Sequence, residues 1–134
     1  MIGGYSASDG WLSSVEALAA DGSGWSHLPP MAAPRCYAAA ALLPSGHVVV
    51  AGGRCGNGNA GIVQTVEQWD PVTEAWGPLP PMSHPRRCAA GCMLPSGKVA
   101  VIGGKDGEGQ RREDGAPGRP ARLALAWPPW LRPL

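Results

Sequence analysis

The chain has 134 residues, a formal net charge of +1 and 44% hydrophobic residues, with 20 Gly, 15 Pro, six Trp and no Phe. So even a charge balance sets up no field for nucleic acid or an anionic membrane surface, and the longest apolar run, Cys36 to Leu43, is far too short to cross a bilayer. The N-terminus has no basic region with an apolar run behind it, and Cys36, Cys55, Cys88 and Cys92 match no disulfide or zinc spacing, so a reducing, cytoplasmic setting with no metal and no cofactor is expected.

In chain order, Gly3-Gly4 comes first, followed by Val15-Glu16, Trp25, Leu28-Pro29-Pro30-Met31 and Pro34-Arg35. Cys36 to Leu43 reads as an apolar strand. Pro44-Ser45-Gly46 is a turn of hairpin length. His47 to Ala51 is β-branched and reads as a strand buried on both faces. Gly52-Gly53 ends it, and a polar, Gly-rich loop, Arg54 to Gly61, leads to a third strand over Ile62 to Trp69. Asp70-Pro71 makes a turn, because Pro pre-sets φ and Asp bonds its own backbone. Ala75 to Leu79 is the fourth strand, and Pro80-Pro81 stops it, since Pro cannot donate to a ladder.

The same signals then return. Leu28-Pro29-Pro30-Met31 recurs 51 residues later as Leu79-Pro80-Pro81-Met82. That register also links Pro34-Arg35 to Pro85-Arg86, Leu43-Pro44-Ser45-Gly46 to Leu94-Pro95-Ser96-Gly97, Gly52-Gly53 to Gly103-Gly104, Val15-Glu16 to Val66-Glu67, and Trp25 to Trp76. The step from Gly3-Gly4 to Gly52-Gly53 is two residues shorter. Four short antiparallel strands in about fifty residues describe one blade of a β-propeller. The pattern fails after Gly104. Where a further Val-Glu is due, Pro117-Gly118 stands, and residues 105–134 are rich in Pro, Gly and Arg, with Trp127-Pro128-Pro129-Trp130 near the end. This stretch is expected to be disordered and unrelated to the propeller.

A glycine pair closing an apolar strand, then Val-Glu-x-Trp-Asp-Pro, Trp, Pro-Met and Pro-Arg, resembles the kelch repeat. The resemblance covers residues 1–104 and implies an all-β fold: an incomplete kelch propeller of about two four-stranded blades. It divides into a half blade, a full blade over 36–82 and a further half blade, in what would be a truncated form of a longer protein. Two blade equivalents leave edges and faces open, which predicts self-association. The resemblance makes Gly3, Gly4, Gly52, Gly53, Gly103 and Gly104 structural, at the place where one blade meets the next strand. Trp25 and Trp76 are expected between adjacent blades, and Arg35 and Arg86 at strand entrances, with an Arg–Glu contact to Glu16 and Glu67 either within or between blades.

Chemistry is sparse. The four cysteines do not recur in the register, Cys88 and Cys92 are expected on one side of a strand, and all four read as buried, apolar-like thiols. Ser45 and Ser96 recur as turn residues, outside any G-x-S-x-G setting. Gly56 to Gly61 lacks the Lys of a phosphate loop and leads into a strand. Loops on a rigid blade carry binding, so Arg54, Asn57 and Asn59 are the candidate partner contacts. The family implies a protein–protein interaction module of the adaptor or scaffold kind, not an enzyme. Two alternatives are a fragment without function of its own and a part of a galactose-oxidase-like carbohydrate oxidase or sialate epimerase. The oxidase needs a copper site with a cross-linked Tyr–Cys pair, and Cys36-Tyr37 would point to opposite faces of a strand.

Overall fold

A computed structural model of the chain describes residues 1–106 and 124–126, and these form antiparallel sheets with no α-helix. The first sheet holds β1 (Ile2–Ser6), β2 (Gly10–Leu18) and β3 (Trp25–Leu28) in that order. The second holds β4 (Ala39–Leu42), β5 (Val48–Ala51), β6 (Val66–Asp70) and β7 (Ala75–Leu79), also in chain order. The third runs β8 (Ala90–Met93), β9 (Val99–Ile102) and β10 (Ala124–Ala126). Each is an up-and-down antiparallel blade, the second with the full four strands expected.

Local chemistry makes the turns. Between β4 and β5, Leu43 N donates to His47 O at 2.8 Å and Gly46 N to Leu43 O at 2.9 Å, with Gly46 at φ 83°. A type I turn closed by a left-handed glycine needs a residue without Cβ at that point. The same bonds recur at Leu94, Lys98 and Gly97, the last at φ 79°. Between β6 and β7, the Asp70 carboxylate accepts from Val72 N at 2.8 Å and Thr73 N at 3.3 Å, the Asx turn that its residue type favours. Those bonds, with His47 nearby, hold the Asp70 carboxyl below its ordinary value of 3.8.

Period-2 alternation in β5 builds two cores at once. Val49 and Ala51 join Val99, Val101, Leu43, Val66, Leu79 and Met82 between the second and third blades. Val50, with Val48 beside it, turns the other way, to Val15 and Met31 of the first blade. The strand is therefore buried on both faces, as its Val-Val-Val-Ala run predicts. The inner strands approach closely: a Cβ on Gly91 would stand 2.8 Å from the Ala40 carbonyl oxygen, so this position in β8 excludes any side chain.

Some boundaries differ from the sequence reading. The inner strand starts at Ala39 and not at Cys36, because Tyr37 is left-handed at φ 55° and breaks the ladder. Cys88, its counterpart one blade on, has the same φ. Cys88 thus lies before β8, not on one strand face with Cys92. The third strand starts at Val66 and not at Ile62, since Val63 O accepts from Arg86 N at 3.3 Å and Gln64 O from Met82 N at 2.9 Å. Those carbonyls serve the link between blades instead of the sheet. The first blade has three strands where half a blade was expected. Most of the stretch 105–134 lies outside the described residues, but Ala124–Ala126 within it pair with Val99–Val101 as the third strand of the third blade.

Candidate functional site

The recurring charged residues assemble into a buried staple between blades. Arg35, 1% exposed, donates through Nη1 to the carbonyls of Gly52 and Thr65, both at 3.0 Å. Its Nη2 donates to Thr65 Oγ1 at 3.2 Å and to Glu67 Oε2 at 2.6 Å. The other oxygen of Glu67 accepts Ala32 N at 2.7 Å, in the link from the first blade. Meanwhile the Arg35 backbone serves the first blade: its N–H donates to Leu12 O at 3.0 Å and its carbonyl accepts Gly4 N at 2.9 Å. One residue thus bonds two blades, backbone to one and side chain to the other. Arg86 repeats the pattern, with Gly53 N on its carbonyl at 2.8 Å and its Nη1 on Gly103 O at 3.0 Å. Glu16 instead faces His27 at 3.8 Å.

The glycine pairs are needed where these carbonyls enter. Gly52 stands at φ 67°, and a Cβ there would meet the Arg86 carbonyl and come within 2.9 Å of Met82 Cε. At Gly53, φ 98°, it would meet the Cys36 carbonyl at 2.7 Å. Trp76 does bridge blades: its Nε1 donates to Pro29 O at 2.9 Å, and its ring lies 5.7 Å from that of Trp69. Trp25, its counterpart, is 60% exposed.

The β1–β2 turn, the β5–β6 loop and the links between blades leave the sheets at the ends opposite the tight hairpins. Arg54 is anchored there by paired backbone bonds to Cys36 at 2.8 and 2.9 Å. Its Nε donates to Gly56 O at 2.6 Å, and its guanidinium lies 5.4 Å from the Trp11 ring centre in the neighbouring blade. Trp11 in turn packs against Tyr5 at 4.9 Å, and Tyr5 is 61% exposed. Cys55 N closes the loop on Gly61 O at 2.8 Å. Asn57 is exposed on it, and Asn59 opens the 3-10 turn Asn59–Gly61. Arg54 and the asparagines therefore share one loop, and Arg54 ties it to two aromatics that the sequence reading did not select. The signal was there: Tyr5 and Trp11 take the places that Arg54 and Ile62 hold one repeat later, paired in the same way. Residue types that change while the pairing persists mark a surface free to vary.

Of the cysteines, only Cys36 is buried; Cys55 is half-buried, and Cys88 and Cys92 are exposed. The reading of all four as buried thiols is corrected, because the left-handed Cys88 turns out of the ladder and Cys92 lies on the outer side of β8. Burial pushes the Cys36 thiol up from 9.0, against the pull of Arg54. Among the described residues, no three of His, Cys, Asp and Glu gather closely enough to hold a metal ion.

Residues 34–83 match the family model of the Kelch motif. An F-box/kelch-repeat protein of Arabidopsis thaliana is 42% identical over 90 residues, which cover 66% of this chain and 21% of that protein. Residues 34–83 are a kelch repeat. The chain spans about a fifth of the length of that relative. A solved copper complex of a fungal alcohol oxidase of the AA5 family superposes with a TM-score of 0.71 and 20% identity, covering 97% of this chain and 28% of the oxidase. At that identity the likeness is one of fold. Among the described residues no helix is long and apolar enough to cross a membrane.

Proposed function

We propose that the chain acts as a protein-interaction module, and that its binding face is the loop end that carries Tyr5, Trp11, Arg54 and Asn57. The observation that carries this reading is the Tyr5–Trp11–Arg54 cluster, two aromatics and a guanidinium from adjacent blades on one loop face. Aromatics and Arg are the residues that most often anchor interfaces, because they offer large rigid area with a polar handle. The Arabidopsis relative, named for its F-box and kelch repeats, supports an adaptor role, and a cytoplasmic site of action suits the unpaired cysteines. Catalysis has no comparable support, since the likeness to the oxidase, at 20% identity, is one of fold.

The test compares two faces. Proximity labelling in cells is run with the wild type, with Tyr5→Ala/Arg54→Ala, and with Val72→Asp in the exposed turn at the opposite end. Loss of the labelled set in the double variant alone supports the assignment. Equal labelling by all three sinks it.

A further inference from the structure

The Tyr5–Trp11–Arg54 cluster is rich in donors as well as in aromatic surface. The Tyr5 and Trp11 rings, 4.9 Å apart, are tilted by 58° and so form a notch instead of a flat wall. Arg54, over Trp11, bonds Gly56 O through Nε, which leaves its Nη groups as donors. The Tyr5 hydroxyl, the Trp11 indole N–H and the amide of the exposed Asn57 are further groups able to donate at this end. A third aromatic follows Cys36, whose backbone pairs with that of Arg54: Tyr37, left-handed at φ 55° and 62% exposed. The left-handed position recurs at Cys88 and belongs to the scaffold, but the exposed ring is particular to this blade. Net charge at the cluster is small. The turn between Tyr5 and Trp11 carries the Asp9 carboxylate, held by Ser6 Oγ at 3.1 Å and Ser8 Oγ at 2.8 Å. A cation matched by an anion gives little pull on an acidic partner.

Resting on the binding face assigned above, we propose that the partner segment seated there is a proline-rich stretch in the polyproline II conformation. Proline has no N–H, and the polyproline II helix makes no internal hydrogen bonds, so its carbonyls stand free as acceptors. An acceptor-only ligand is the complement of a donor-rich face. Its pyrrolidine rings dock between aromatic side chains, which the tilted Tyr5–Trp11 pair supplies, with Tyr37 on the same end. The ligand is already extended, so seating it on this surface orders little chain.

Fluorescence anisotropy with the full chain and a capped, fluorescein-labelled oligoproline tests this, with a capped oligoglutamate as the comparison. Saturable binding of the oligoproline is expected, nearly independent of salt. Tyr5→Ala, at an exposed ring, should weaken it about tenfold, the loss of one interface anchor. Arg54→Lys keeps the charge but not the planar fork and should also weaken it, while Val72→Asp, at the opposite end, should leave it unchanged. Thermal melts that match the wild type show that a loss is one of contact and not of folding. Tighter binding of the oligoglutamate, lost as salt rises and kept by Arg54→Lys, overturns the proposal. Oligoproline binding that Tyr5→Ala leaves unchanged overturns it too. If no oligoproline binds while proximity labelling in cells still depends on Tyr5 and Arg54, this partner class falls and the binding face stands. If both fail, the face falls with it.

Discussion

Arg35 brings a full charge into a place that is 1% exposed and answers it with two carbonyls, a hydroxyl and one carboxylate oxygen. A buried ion pair is poor evidence of net stability, because desolvation offsets the attraction, but removing one partner leaves the other charge uncompensated. Glu67→Ala is expected to destabilise the fold by about 3–5 kcal/mol. Glu67→Gln, which keeps an acceptor for Ala32 N, should cost less. Urea unfolding followed by circular dichroism measures both, and equal losses would mean that shape, not charge, matters at this position. The recurrence of Arg and Glu was legible in the sequence. Which glutamate each arginine meets was not, since which blade an arginine enters depends on the chain path and not on its spacing from Glu67.

At the scale of the element, hairpins were the most readable part, because Pro-Ser-Gly and Asp-Pro each carry their own backbone chemistry. The Asp70 turn makes a pH prediction. Its carboxyl titrates lower in the fold than in the unfolded chain, where 3.8 is the ordinary value. A depressed value means stability that is present above pH 3.8 and lost as pH falls through the folded value. Asp70→Asn should keep the Asx turn, because its amide oxygen still accepts from Val72 N, yet flatten this acid limb of the melting curve. An unchanged acid limb would assign it to other carboxylates. Strand boundaries were harder to read. Nothing in Cys36-Tyr37-Ala38 announces a left-handed residue, and the apolar run continues through it; the neighbouring blade, through the Cys88 N–H to Tyr37 O bond at 2.9 Å, sets that backbone.

For the whole molecule, three blades stack through faces that would each pack on another blade in a closed ring. Leu18 and Trp25 are exposed on the first blade and Ile102 on the third. Apolar faces of this kind drive association, so the chain is expected to melt at a temperature that rises with protein concentration, as ligand linkage requires of a self-associating fold. Calorimetry over a hundredfold concentration range checks this, and a midpoint independent of concentration would show that the three blades are sufficient alone.

By itself, the sequence determined the repeat, the blade as its unit and the positions of the hairpin turns, because each depends on local backbone chemistry or on a period that a single chain displays. Tertiary structure alone decided the rest. It took packing to turn Arg35 toward Glu67, to set the Arg54 guanidinium over Trp11, to expose Cys88, and to bring Ala124–Ala126 back to β9 from beyond the last recognisable repeat. Each of those is a contact between residues distant in the chain, and no spacing in the sequence encodes which of two blade faces a side chain will meet.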